Sequence, residues 1–137
     1  MAVVDVANVM GARPDGWWRD RAGAALRLCR QVDALARRGT ETTPEVGEWV
    51  LVLEGRAREA AAALLAQHRD EDDGDGPLLV RLVSAPGSGD DAIVGVVAEA
   101  VACDETCLVV TADRELRRRC EELNASVVGP SWLLRLL

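Results

Sequence analysis

The chain has 137 residues, enough for one domain (1–137) with a sizeable core and too few for two. Apolar residues make up 49% of it, but none of their runs approaches the ~18 residues that a membrane-crossing helix needs. The formal net charge of −7 argues against tight, non-specific duplex binding, and because all 16 basic residues are arginine, Schiff-base and P-loop lysine chemistry is excluded. A transient nucleic-acid substrate is compatible with that charge, because a site's own carboxylates contribute to it and a bound cation offsets them.

The first stretch, Val3 to Met10, is mostly apolar without polar alternation, and reads as a strand buried on both faces of a parallel sheet. Gly11 to Gly16 is a turn. Trp17 to Arg38 carries Ala25, Leu28, Cys29, Val32 and Leu35 at helical spacing. Gly39 to Gly47 is a loop, Trp49 to Leu53 a second strand, and Arg56 to His68 a second helix. Asp70 to Pro77 is an acidic loop. Leu78 to Val83 reads as a third strand, Asp90 to Cys103 as a helix, and Leu108 to Thr111 as a fourth strand. Asp113 opens a helix to Leu123, Ala125 to Val128 is a fifth strand, and Ser131 is positioned to cap a terminal turn. Strand and helix alternate with no hairpin signal, which predicts right-handed crossovers and a three-layer α/β/α domain with a parallel sheet of about five strands.

Within the first run stands Asp5, a charge that is costly to bury without a partner. Three residues on is Asn8, which strict alternation would put on the opposite face, so the strand must turn there if both serve one site. Other acids fall where strands end: Glu54, the pair Asp90 and Asp91, and Asp113. Aspartate is a common helix N-cap, which accounts for Asp113 or for one member of the pair. Two adjacent aspartates repel each other, and a bound cation relieves that repulsion. In open α/β sheets the ligand crevice lies outside the carboxyl ends of the strands, where these acids collect. Asp5, Asp90, Asp91 and Asp113 are therefore the expected ligands of Mg²⁺ or Mn²⁺, hard ions that prefer oxygen donors. Such an ion can activate a water and stabilise the charge of a phosphodiester displacement, with Asn8 positioning that water or Asp5.

Other patterns are weaker. Gly87-Ser88-Gly89-Asp90-Asp91-Ala92 formally fits the dinucleotide fingerprint, but puts two aspartates where pyrophosphate should sit. The acidic loop lacks the alternating ligands of a calcium site, and Cys103 and Cys107 lack a second zinc pair. The one histidine, His68, would have to serve any Ser-His-Asp triad, and nothing else supports one. The four cysteines read as buried reduced thiols, and no export signal precedes the first strand, so the expected location is cytoplasmic, away from any membrane.

Val4-Asp5-Val6-Ala7-Asn8-Val9, Gly89-Asp90-Asp91-Ala92-Ile93-Val94 and Val109-Val110-Thr111-Ala112-Asp113-Arg114-Glu115-Leu116 together resemble the three signature blocks of NYN domains, including the YacP-like group, of the PIN-like nuclease superfamily. The resemblance in order and spacing spans about Val3 to Val128. It implies a metal-dependent ribonuclease, with metal roles on Asp5, Asp90 or Asp91, and Asp113, and Asn8 in support. Family members often carry Asp-Gly after the second strand, where this chain has Glu54-Gly55.

The expected activity is hydrolysis of RNA phosphodiester bonds, on single-stranded or structured RNA. A metal-dependent nucleotide phosphohydrolase and a catalytically inactive RNA-binding module are the alternatives. Arg13, Arg19, Arg56 and Arg114, in loops or first turns, are candidate phosphate contacts, and Trp17 and Trp18 candidate base-stacking residues, one of them packing as core. The sequence leaves open a homo-oligomer and an inhibitory protein partner.

Overall fold

The computed structural model describes residues 1–38, 46–70 and 78–137, with the backbone alone for 67–70. Runs rich in valine and leucine form five strands: β1 (Ala2–Asp5), β2 (Trp49–Leu53), β3 (Val80–Ser84), β4 (Leu108–Val110) and β5 (Ser126–Val128). Between and after them lie six α-helices: α1 (Val6–Gly11), α2 (Arg21–Arg38), α3 (Glu59–Asp70), α4 (Gly89–Ala102), α5 (Arg114–Glu122) and α6 (Pro130–Leu134). All strand pairs are parallel, in the order β3-β2-β1-β4-β5. This is the expected α/β fold, with helices on both faces of the sheet.

The two faces explain why the central strands lack alternation. Val3, Val50, Val52 and Val109 pack against Ile93 and Val97 of α4 and Leu116 and Cys120 of α5. Val4, Leu51, Leu53 and Val110 meet the opposite layer, built on Leu28, Leu35, Leu64 and Leu133. Every residue of β1 and β2 is buried, as a parallel sheet covered on both sides requires.

Several boundaries differ from the sequence reading. The run from Val3 to Met10 is not one strand: β1 stops at Asp5, and the chain turns directly into α1. Periodicity cannot separate a buried strand from a buried helix in so short an apolar run. The overlooked signal was the N-cap, since Asp5 Oδ1 accepts the Asn8 N–H at 3.3 Å. Residues 17–38 divide into a 3₁₀ turn (Trp17–Arg19) and α2, because Asp20 intervenes and its Oδ1 accepts the Gly23 N–H at 2.9 Å. A second 3₁₀ turn (Gly55–Arg58) precedes α3, and Gly55 takes a positive φ of 56° that suits glycine. β3 starts at Val80, two residues later than expected, and α4 starts at Gly89, capped by Ser88. Ser131 does not cap the terminal helix. Gly129 holds that position and Pro130 the first turn, where a missing N–H and a fixed φ are tolerated. The expected loop at 39–47 lies outside the described residues over 39–45, as does the acidic loop over 71–77 and the side chain of His68.

All four cysteines are free, but Cys103 is exposed rather than buried, since α4 has ended there. Burial pushes the Cys29 thiol up to about 12 and Cys120 up to about 11, and raises Cys107. These three stay protonated at neutral pH and are poor nucleophiles. Asp33 is a buried acid that the sequence reading missed. Its Oδ1 accepts the Leu79 N–H at 2.8 Å and its Oδ2 the Arg37 Nε–H at 2.9 Å, tying α2 to the start of β3. Asp33→Ala removes the acceptor of the Leu79 N–H and the ion pair to Arg37, and urea unfolding is expected to show a loss of about 1–3 kcal/mol. Among the described residues, no helix is long and apolar enough to cross a membrane.

Candidate functional site

The chain winds from β1 out to β3 on one side, then returns to place β4 and β5 on the other side of β1. The crevice between β1 and β4 is therefore the topological switch point, the general ligand position in open α/β sheets. Asp5 is the last residue of β1, and Thr111 follows the last residue of β4, so both stand at the mouth of this crevice.

They are bonded to each other. Thr111 Oγ1 donates to Asp5 Oδ2 at 3.0 Å and accepts the Asp113 N–H at 3.2 Å. Asn8 reaches the same segment, its Oδ1 accepting the Ala112 N–H at 2.7 Å. The turn from strand to helix at Asp5 is what brings Asn8 back toward Asp5, which an extended strand could not do. Asn8 thus holds the backbone after β4 and positions that segment relative to Asp5. Asp113 Oδ1 accepts the Leu116 N–H at 2.8 Å and caps α5, as aspartate commonly does.

From the other side come the end of β2 and the start of α4. Glu54 Oε2 accepts the Gly89 N–H at 2.6 Å, fixing the first residue of α4 beside the end of β2. A Cβ on Gly89 would stand 2.8 Å from that oxygen, so a larger residue there would push the Glu54 carboxylate out of this position. The dinucleotide reading fails at this point, since Glu54 and Ser88 already occupy N–H groups of α4's first turn. Asp90 follows directly and is half-buried, whereas Asp91 is turned outward, 75% exposed, with Oδ1 accepting from Arg119 Nη2 at 3.0 Å.

The acids influence one another across the crevice. Asp5 is pushed up to about 6, first by burial and further by the Asp90 and Glu54 carboxylates, against the lowering hydrogen bonds from Thr111 and Asn8. Asp90 is raised by burial, then by Asp113 and Glu54, with Arg119 opposing. The structure thus groups Asp5, Glu54, Asp90 and Asp113, and leads Asp91 away to an ion pair with α5. Asp91→Asn removes only this exposed pair, and chemical denaturation is expected to register a change of less than about 1 kcal/mol.

Thr111 was read from sequence only as the end of a strand, yet it is the hub linking Asp5 to Asp113. A hydroxyl between an apolar strand and an N-cap aspartate was the available signal. Thr111→Val is expected to destabilise the protein by about 1–3 kcal/mol at pH 7.5 in urea titrations, because a buried carboxylate loses its donor.

Among the described residues, no three His, Cys, Asp or Glu side chains are already arranged around one point as a metal cage. The donor chemistry nevertheless fits Mg²⁺ or Mn²⁺: all four candidates are carboxylates, and one oxygen each of Glu54 and Asp113 is taken up by capping. Mg²⁺ is commonly held by one or two carboxylates and keeps several waters, so a closed cage is not required.

Of the candidate phosphate contacts, Arg56 lies on the 3₁₀ turn after Glu54 and, with Arg19, lines a cavity of about 370 Å³. Arg13 follows α1 and Arg114 opens α5, and neither lines that cavity. Trp17 is partly buried against the core and Trp18 is 57% exposed. Comparison with known protein families, with curated proteins and with solved structures finds no match to this chain.

Proposed function

We propose that this protein is a divalent-metal-dependent ribonuclease that hydrolyses RNA phosphodiester bonds at the β1/β4 crevice. The observation that carries this reading is the grouping of Asp5, Glu54, Asp90 and Asp113 there, with Asp5 and Asp90 made harder to ionise first by burial and further by neighbouring carboxylates. Among the described residues, no arginine side chain bonds to Asp5. Carboxylates at such density repel one another and any phosphate, and a cation reverses both effects. The three sequence blocks that resemble those of NYN domains carry Asp5, Asp90 and Asp113, which supports the same reading.

In this reading Asp5 and Asp90 hold Mg²⁺ or Mn²⁺, with Asp113 and Glu54 supplying their uncapped oxygens directly or through water. A bound cation supplies an activated water and charge neutralisation for the displacement. Thr111 holds Asp5 Oδ2 through its hydroxyl, and Asn8 fixes the backbone at Ala112, next to Asp113, whose carboxylate acts on Asp90. The Asp5 carboxylate must be ionised to bind the ion, so activity falls as pH drops below about 6. The free cysteines agree with a reducing, cytoplasmic setting.

The test is cleavage of a labelled single-stranded RNA in Mn²⁺ or Mg²⁺, with EDTA and Asp5→Asn as controls. Loss on the order of a thousand-fold is expected in both, since the ion supplies several kcal/mol to the transition state. Asp90→Asn should lose far more activity than Asp91→Asn. Cleavage that persists in EDTA sinks the proposal. Hydrolysis of free nucleotides with RNA left intact would instead make the protein a phosphohydrolase.

A further inference from the structure

Three arginines, Arg19, Arg21 and Arg56, surround the cavity of about 370 Å³ beside Trp18. Among the described residues none of the three makes an ion pair, whereas Arg37, Arg81, Arg117, Arg118 and Arg119 each face a carboxylate. The two acids in the cavity wall are offset by helix termini. Asp20 accepts the Gly23 N–H at the start of α2, and Glu59 is the first residue of α3. The guanidinium of Arg19 stands 5.9 Å from the Trp18 ring centre, and that of Arg21 stands 5.5 Å from Trp17. Trp17 and Trp18 meet edge to face at 6.0 Å, which props the 57%-exposed Trp18 outward.

A second cavity, of about 450 Å³, shares Arg21 and runs past Trp17 to Glu54, Ala7 and Gly87. It therefore leads from Arg21 to Glu54, the one member of the acid cluster that lines it. In a chain of net charge −7, a basic patch without ion pairs whose cavity continues to Glu54, at the edge of the acid cluster, suits a polyanion that extends from one to the other.

We infer that this path holds the single-stranded RNA that flanks the cleaved bond, with phosphates on Arg21 and Arg56 and a base stacked on Trp18. The inference rests on the ribonuclease reading and adds the site that seats its substrate. An exposed indole face offers stacking to an unpaired base of any identity, while a base within a duplex has no free face to give. Arginine forks suit phosphate oxygens, and Arg19, held over Trp18, is placed to neutralise the stacked nucleotide.

The experiment is anisotropy of a fluorescein-labelled oligouridine in EDTA, where no metal-dependent cleavage occurs, over a salt series. Arg21→Ala/Arg56→Ala is expected to weaken binding by about ten-fold or more and to reduce the log–log salt slope by about 1.4, the value for two single-strand phosphates. Trp18→Ala is expected to weaken binding by about five-fold or more without changing the slope. Arg56→Ala alone, outside any α-helix, should give a smaller loss in the same direction, and Arg117→Ala, paired with Glu121 on α5, none. Binding of the double variant within about two-fold of the wild type, or an unchanged slope, overturns the inference. Binding that depends on these arginines in a protein that cleaves no RNA with Mn²⁺ would keep the site and remove the nuclease reading. Metal-dependent cleavage with binding indifferent to all three substitutions would do the reverse.

Discussion

Asp5→Asn is expected to stabilise the metal-free protein by roughly 3 kcal/mol at pH 7.5, even as it removes activity, because each ten-fold change in proton affinity is worth about 1.4 kcal/mol. The Asp5 carboxyl lies near 6 in the folded chain against an ordinary 3.8, chiefly because it is buried. The folded state therefore holds a proton that the unfolded chain has already released, and stability declines as pH rises from about 4 to about 6. Above that range the full penalty of a buried charge remains. Asparagine carries no such charge and can keep both local bonds. Its Oδ1 accepts the Asn8 N–H, and its amide donates to Thr111 Oγ1 after the hydroxyl turns. Urea unfolding of wild type and variant in EDTA, from pH 4 to pH 8, should give diverging lines that become parallel above about pH 6. A variant less stable than wild type at pH 7.5 would mean that Asp5 is held by structure-forming interactions rather than kept for a ligand.

The second large effect is expected in the layer that carries α4. Ile93 is fully buried and packs with Val3, Val50 and Val109, so it fixes α4 over the centre of the sheet. Ile93→Ala is expected to cost about 2–5 kcal/mol, through lost transfer energy and the cavity left behind. That is a large part of the ~5–15 kcal/mol that holds a domain of this kind together. Ile93→Val should cost only about 0.5–1.5 kcal/mol and leave metal-dependent activity in place. Denaturant midpoints measure the first effect. If Ile93→Ala cost less than about 1 kcal/mol, α4 would be held mainly by the bond from Glu54 to Gly89, and Asp90 would depend on that cap instead of on packing.

The architecture was legible because its signals are long in range and repeat. Valine-rich runs alternate with helical spacing, no hairpin turn intervenes, and a covered parallel sheet follows. The grouping of acids at the candidate site was legible in part. Asp5, Asp90 and Asp113 stand out because each is a charge beside apolar sequence at a strand or helix end. In sequence Glu54 is just one of the acids at strand ends, and only the fold brings it to Gly89, 35 residues away in sequence. Asp91 looked equivalent to Asp90, but successive residues of a helix face about 100° apart, so one turns to the crevice and the other to Arg119. The turn at Asp5 was hidden because Val6, Ala7, Val9 and Met10 suit a buried helix as well as a strand. Thr111 is neutral and small, and its role depends wholly on the pairing of β1 with β4, which no local pattern records.

The most direct measurement is calorimetric titration of Mn²⁺ into the protein at pH 7.5, for the wild type, Asp5→Asn, Asp90→Asn and Asp91→Asn. A shared site at the crevice predicts binding in the wild type and in Asp91→Asn, its loss in Asp5→Asn and Asp90→Asn, and weaker wild-type binding below about pH 6 as Asp5 takes up its proton. Absence of binding in the wild type, or equal affinity in all four proteins, would contradict it and leave Glu54 and Asp113 as helix caps around a buried Asp5.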